Sequence, residues 1–302
     1  MFSVTTGSFN TAVGAGALDL NTADENTATG AAALLFNTTG TENTANGTAA
    51  LEFNDIGDHN TANGAFALFS NVMASSNTAA GAEALRSNDV SGAGNSNGNT
   101  AVGTQALFSN GDAAFNDAVG AFALQNNTDG FGNNAFGNSA LFSNVLGSEN
   151  TALGDAALAF NDSDGMGLAN DNTAVGGAAL FNNVDGSENT AVGTGAGPNV
   201  ITGVNNTYLG DFVGTLATDE SSTIRIADIS IDGFGSAECF IGGIFNNLQP
   251  VNGTTVVQVT LDLTNDHLGR DFGPSQGGSA KPAPRGAPAR RSAPQPRERP
   301  QL

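Results

Sequence analysis

The sequence predicts an all-β chain: a parallel β-solenoid, or β-roll, of about twelve 17-residue coils, then a short β region and a disordered tail. Three observations predict it. The pentapeptide Asn-Thr-Ala-Val-Gly at Asn10–Gly14 returns at Asn99–Gly103, Asn172–Gly176 and Asn189–Gly193, with near copies between. The step from copy to copy is 17 residues, apart from one of 16 and two of 22, and a fixed period of this kind marks a repeat architecture. Gly and Asn hold fixed places in the unit with Thr beside them, and all three are poor helix formers, Gly by about 1 kcal/mol relative to Ala.

The unit is N-T-A-x-G-x-x-A-L-x-x-N plus a five-residue loop. Position one is Asn10, Asn26, Asn43, Asn60, Asn77, Asn99, Asn116, Asn133, Asn150, Asn172, Asn189 and Asn206. Position three is Ala until the last copy, where it is Tyr208. Position five is Gly14, Gly30, Gly47, Gly64, Gly81, Gly103, Gly120, Gly137, Gly154, Gly176, Gly193 and Gly210. Positions eight and nine read Ala-Leu in ten successive copies, the leucines being Leu18, Leu34, Leu51, Leu68, Leu85, Leu107, Leu124, Leu141, Leu158 and Leu180. Position twelve is Asn in the same ten copies, from Asn21 to Asn183, and position ten or eleven is often Phe.

Two helices with their turns do not fit into 17 residues, whereas strands of three to five residues do. The Thr-Ala-Val and Ala-Ala-Leu-Leu-Phe-like pieces are the strand candidates, and one unit is one coil. Coils about 4.8 Å apart place identical residues above one another. An Asn column can then bond amide to amide, and Asn suits a left-handed corner. A Gly column fits a turn with positive φ. Ala and Leu columns fill a narrow core, and twelve coils make a rod of about 55 Å. Both long steps place their extra residues after position twelve, at Val90–Gly98 and Asp162–Asp171, so a surface loop is expected there.

Composition narrows function. Residues 270–302 hold seven basic and two acidic residues, a net +5, which leaves two basic and 27 acidic residues in the 269 before them, a net −25. Such a body repels nucleic acid, which is bound by neutralising phosphates with Lys and Arg. No apolar run approaches the roughly 18 residues of a transmembrane helix. Cys239 is the single cysteine, so neither an intrachain disulfide nor a cysteine-based zinc site is available, and it reads as a small buried hydrophobe. Met1–Val4 matches positions nine to twelve of a coil; the sequence is expected to begin inside a coil, with any signal peptide upstream of it.

Asn-Thr-Ala-Val-Gly followed by Ala-Leu and an Asn-rich loop resembles the head repeats of trimeric autotransporter adhesins of the YadA-like type, over about residues 1–210. The resemblance implies a left-handed parallel β-roll and a homotrimer with a shared core. Two departures stand: the unit is 17 residues rather than about 14, and Thr and Ala sit where that family places larger aliphatics. Residues 211–269 contain Ser-Thr-Ile-Arg-Ile-Ala-Asp-Ile-Ser-Ile and Cys-Phe-Ile-Gly-Gly-Ile-Phe, and the run Val256–Gly269 alternates like strand as well. These are similar to the segment that follows such repeats in tail-fibre-like proteins, ahead of a self-cleaving serine-lysine chaperone domain. Here residues 270–302 turn abruptly to Pro, Arg, Ala and Ser, a composition that predicts disorder. A reading-frame change at the point where the chaperone domain should begin accounts for the switch; intact downstream sequence in the original frame is its check.

Residues for chemistry are sparse. His59 and His267 are the only histidines and lie in different regions. Asp55/Asp58 and Asp162/Asp164 sit in variable loops, which predicts ordinary solvated acids rather than a catalytic pair in a cleft. Asn161–Gly165 has the flavour of a calcium loop, but lacks the terminal Glu and spacing of an EF-hand, and turn chemistry explains it equally. The Gly-rich stretch Gly193–Asn199 lacks a Lys-Ser/Thr pair and a following helix. No catalytic residue, cofactor or metal is therefore assigned. The expected function is that of an extracellular or phage-borne fibrous attachment protein, an adhesin head or tail-fibre-like shaft, meeting a surface ligand through loops of the rod. The alternatives are a structural spacer or surface-layer fibre and, further off, an ice-binding solenoid, whose arrays carry T-x-T rather than one Thr per coil.

Overall fold

The computed structural model describes residues 7–214 and 219–226, and beyond them the strands Val259–Asp262 and His267–Arg270. The chain divides into two units, Met1–Cys239 and Phe240–Leu302. In the first, every described strand is three residues long and there is no helix. They run from Thr11–Val13 to Ile224–Ile226 and form one 13-stranded parallel sheet in strict sequence order. Register is in step: Thr27 pairs with Thr44, Ala28 with Ala45 and Thr29 with Asn46. The steps of 22 residues do not disturb it, since Thr78 still pairs with Thr100 and Thr151 with Thr173. The fold is a β-solenoid of about twelve coils, and Ile224–Ile226 adds one strand beyond the last Asn-Thr-x-x-Gly copy. In the second unit the two described strands form an antiparallel pair. Met1–Val4, Cys239 and residues 271–302 lie outside the described residues, as do most of the expected strands between 227 and 258.

The Thr-Ala-x piece forms strand because its alternate side chains have different fates. The middle Ala faces inward, fully buried from Ala28 to Ala191, while its neighbours face out. Thr is therefore on the surface, not in the core column shared with Ala. The core consists of that Ala column, the Ala of position eight and the Leu of position nine, all fully buried.

The expected second strand over the Ala-Leu segment is instead a turn. The leucines themselves take the left-handed conformation, with φ of 51° at Leu51 and 50° at Leu124. Position seven and the residue before each column-one Asn do likewise, as with Ala49 at 56° and His59 at 59°. A left-handed L-residue costs roughly 1–2 kcal/mol. Hydrogen bonds between coils offset it: the N–H of Leu51 donates to Ala67 O (3.0 Å), that of Ala49 to Ala31 O (2.8 Å) and that of Phe53 to Phe69 O (3.1 Å). The ladder thus continues around the coil where no strand exists. A corner of this kind packs Leu inward with its N–H still bonded, which a poor left-handed former achieves only because the coils above and below hold it.

The Asn columns do not occupy the left-handed corners expected of them. They are buried walls of hydrogen bonds. From Asn26 to Asn206 each column-one N–H donates to the Oδ1 of the Asn one coil back, as from Asn43 to Asn26 (2.9 Å) and from Asn133 to Asn116 (2.9 Å). The Asn43 Nδ2 donates to Gly57 O (2.8 Å), which closes the coil on itself. In the position-twelve column the amides bond directly, Asn54 Nδ2 to Asn37 Oδ1 (2.7 Å) and Asn144 Nδ2 to Asn127 Oδ1 (2.9 Å). Both columns meet at one carbonyl: Gly57 O also accepts from Asn54 Nδ2 (2.9 Å). Every buried amide is satisfied by geometry that recurs coil after coil, so the cost of burying a polar side chain is met.

In the last described coils the core changes its composition. Positions three and nine, Ala and Leu elsewhere, become Tyr208, Gly197 and Gly214. Tyr208 is fully buried. A Cβ on Gly197 would lie 2.8 Å from the Tyr208 ring, and one on Gly214 2.7 Å from it. One aromatic ring thus fills the volume of the missing leucines. Its hydroxyl donates to Glu220 Oε1 (2.8 Å), and Glu220 pairs with Arg225 through two bonds of 2.8 and 2.9 Å. Burial, then the Glu220 bond, raises the Tyr208 pKa, so the phenol stays neutral; the Arg225 pair first of all lowers that of Glu220. Tyr208→Ala is expected to cost about 3–5 kcal/mol, the range for deleting a buried aromatic. Adding Gly197→Leu should recover part of it, because the leucine column already accepts this φ. Urea denaturation followed by far-UV circular dichroism checks both; a second variant no better than the first refutes the exchange of one ring for leucine.

Candidate functional site

The regular rod offers one place where the pattern is interrupted twice in the same way. The first insertion starts at Asp89, the second at Asp162, each directly after a column-twelve Asn. Both Asp residues are fully buried and left-handed, with φ of 54° and 46°. The Asp89 carboxylate accepts from the N–H groups of Met73 (2.7 Å), Ala74 (3.1 Å) and Gly94 (2.8 Å). That of Asp162 accepts from Leu146 (2.6 Å), Gly147 (3.0 Å) and Gly167 (2.6 Å). At the far end Asn97 Nδ2 donates to Gly94 O (2.7 Å) and Asn170 Nδ2 to Gly167 O (2.9 Å). The side-chain oxygens of these two Asn accept from Ser75 and Ser148 N–H (2.7 and 2.8 Å). The insertions are two copies of one module, spelled D-x-x-G-x-G-x-x-N.

Asp162 is thus a buried anchor, not the solvated acid its loop position predicts. The carboxylate accepts from three backbone N–H donors, two of them in the previous coil, and its burial without those N–H groups would be costly. Its oxygens are committed to N–H donors, which supports turn chemistry as the reason for Asn161–Gly165. Asp164 is exposed as expected. Asp55 and Asp58 are partly buried and also bond one coil back, Asp58 accepting from the Thr41 N–H (2.7 Å) and Asp55 from the Thr38 hydroxyl. The shared spelling of the insertions was the signal available in the sequence for Asp89 and Asp162. His59 is exposed and pairs with Glu42 at 3.2 Å.

The two modules share an anchor but present different surfaces. The first carries Val90, Ser91 and Ala93. The second carries Asp164, Met166 (65% exposed) and Leu168 (51% exposed), with the ring of Phe131 (50% exposed) close by. A cavity of about 420 Å³ opens there, lined by Phe131, Leu146, Ser148, Glu149, Gly167, Asn170 and Asp171. Asp185 sits in the next coil; burial first, then the charges of Asp164 and Asp162, raises its pKa. Four coils separate the modules, about 19 Å along the rod, and both leave the same column.

Two other outward features run along the rod. One is an aromatic ladder at positions ten and eleven: Phe36 stacks on Phe53 (5.1 Å), Phe53 meets Phe69 edge-on (4.9 Å), and Arg86 lies over Phe69 and Phe108 (both 5.5 Å). These rings spend their faces on one another. The other is the outer face of the sheet, where the Thr of position two stands beside the variable residue of position four. The columns of Asn, Gly and Leu singled out by the sequence build the frame beneath, and the Asn columns also tie down the modules, Asn88 Nδ2 donating to Ser96 O and Asn161 Nδ2 to Ala169 O (both 3.1 Å).

Among the described residues no helix is long and apolar enough to cross a membrane. Searches against protein-family models, curated proteins and solved structures found no match.

Proposed function

We propose that this chain is an extracellular fibrous attachment protein, an adhesin head or tail-fibre-like shaft, acting as a homotrimer and contacting its surface ligand through the two inserted modules. The observation that carries the reading is the placement of the modules: a uniform rod repeats one anchored loop twice, on one flank, and clothes the second copy in exposed Met166, Leu168 and Phe131 beside a cavity. Exposed apolar side chains grouped around polar ones are a mark of interaction surfaces. A rod with backbone ladders around each coil is a stiff carrier for them.

Excising five residues from each module restores the 17-residue step and leaves the columns intact. Binding of labelled protein to a panel of mammalian and bacterial cell surfaces is expected to fall at least about tenfold, since a desolvated anchor residue carries roughly 2 kcal/mol or more of binding. Binding by the intact chain that survives the excision favours the spacer, with adhesion delegated to another part of the fibre. An intact chain that binds none of the panel refutes attachment.

A further inference from the structure

The outer face of the sheet changes character along the rod. At position four the first five strands carry Val13, Thr29, Asn46, Asn63 and Ala80. From Val102 to Ile226, eight successive strands carry only Val, Phe, Leu or Ile there. In-register pairing places these side chains in one row, Val102 beside Val119 and Phe136 beside Leu153. Most of the row is open to solvent, Leu153 being 50% exposed and Phe136 40%, with Val119 and Val175 half-buried beside them. Eight strands make it about 35 Å long. The folding of a single chain does not call for it, because the core is complete without these side chains and the first five strands do without them.

We infer that this row is where a further copy of the chain packs. The charge of the rod selects that occupant. Residues 1–222 carry 22 acids and one basic residue, Arg86, so two rods repel over most orientations. Of the outward positions two and four of the sheet, only Asp117 is acidic, and it stands in the threonine column, at the rim of the row. Approach through the sheet face brings apolar side chains together with few carboxylates between the two copies. Burial of such a row yields about 25 cal/mol per Å² of apolar surface, and the flanking threonines supply hydroxyls to a polar rim of the type that surrounds interface cores. The inference rests on the self-association in the proposed function and adds to it the surface used.

Sedimentation equilibrium of the full chain at tens of micromolar is the test. The wild type is expected at a multiple of the chain mass. The double substitution Val119→Asp with Val175→Asp should shift it to the single-chain mass with an unchanged far-UV spectrum. The matched pair Asn46→Asp with Asn63→Asp, on the polar strands of the same face, should stay assembled. If the first pair does not fold, the near-isosteric Val119→Thr with Val175→Thr decides, and association at least about tenfold weaker is expected. Seam variants that assemble like the wild type overturn the placement alone. A wild type at the single-chain mass overturns this inference together with the homotrimer, while attachment through the modules is read separately by the excision variants.

Discussion

Gly120→Ala is expected to break the rod near its middle. Gly120 has φ of +138°, a region open in practice to glycine only. A Cβ there would lie 2.3 Å from the carbonyl oxygen of Gly137 and 2.6 Å from its carbonyl carbon. Those atoms are backbone of the next coil, so no side chain can turn aside. Relief requires these two coils to part, and parting breaks the bonds from Gly137 N–H to Val119 O (2.8 Å) and from Ser139 N–H to Ala121 O (2.9 Å). The backbone strain costs about 1–3 kcal/mol, and leaving two buried bonds unmade adds roughly 1–3 kcal/mol for each orphaned group. A solenoid is held by nearest-neighbour interfaces, so the loss is concentrated at one of them. Melting by circular dichroism should turn from one transition into two, the lower by roughly 10 °C at 2–4 °C per kcal/mol. Gly16→Ala is the control. Gly16 has φ of +71°, its nearest outside neighbour is a Leu35 methyl at 3.5 Å, and the same place in later coils holds Ala32 and Ala49 at 58° and 56°. That variant should melt with the wild type. Equal melting of the two variants would refute a steric role for the Gly column.

The second large effect belongs to Asn127→Ala. The Asn127 Nδ2 donates to Asn110 Oδ1 (3.1 Å) and Gly130 O (2.8 Å), and its Oδ1 accepts from Asn144 Nδ2 (2.9 Å). Removal opens a gap in a column of amides whose members are all fully buried. Asn110 loses a donor and Asn144 an acceptor, where water has no ready access. At about 1–3 kcal/mol for each buried group left short, the expected loss is about 3 kcal/mol. Asn46→Ala, at an exposed place on the sheet face with a single amide contact of 3.4 Å, should change stability by no more than about 0.5 kcal/mol. Hydrogen exchange read by mass spectrometry should show faster exchange in the coils on either side of position 127 and none at the ends. Uniform protection would mean that the amide column does not hold the coils together.

These two variants mark the limits of reading the repeat alone. The invariance of Gly120 and its place after a strand were enough to expect positive φ, because only glycine answers that need at so fixed a position. The invariance of Asn127 was enough to expect a ladder of amides. It was not enough to foresee that Gly130 O would serve both Asn columns, since that carbonyl belongs to a residue whose identity varies from coil to coil; Ala74 and Ala113 do the same work elsewhere. A backbone acceptor leaves no trace in side-chain identity.

Leu124 shows the same limit in the other direction. A recurring Ala-Leu beside aromatic residues reads as a strand, and propensity gives no reason to place Leu at φ of 50°. The coil stack does, because the neighbouring coils supply the hydrogen bonds that hold the corner. Asp89 and Asp162 were hidden for a related reason: within their loops they look like solvent-facing acids, and only the coil before each insertion contributes two of the three N–H groups that bury them.

By itself, then, the sequence determined the period, the parallel in-register stack, the Ala and Leu core and the positions of the two interruptions. All of these follow from identity recurring at fixed spacing, which stacking turns directly into columns. The tertiary structure alone decided which strand face points inward, which corners are left-handed, how Tyr208 replaces the leucines of Gly197 and Gly214, and that the residues from Val102 to Ile226 line up as one exposed row. Each of these depends on what the coil above or below supplies, and a single repeat carries no record of its neighbours.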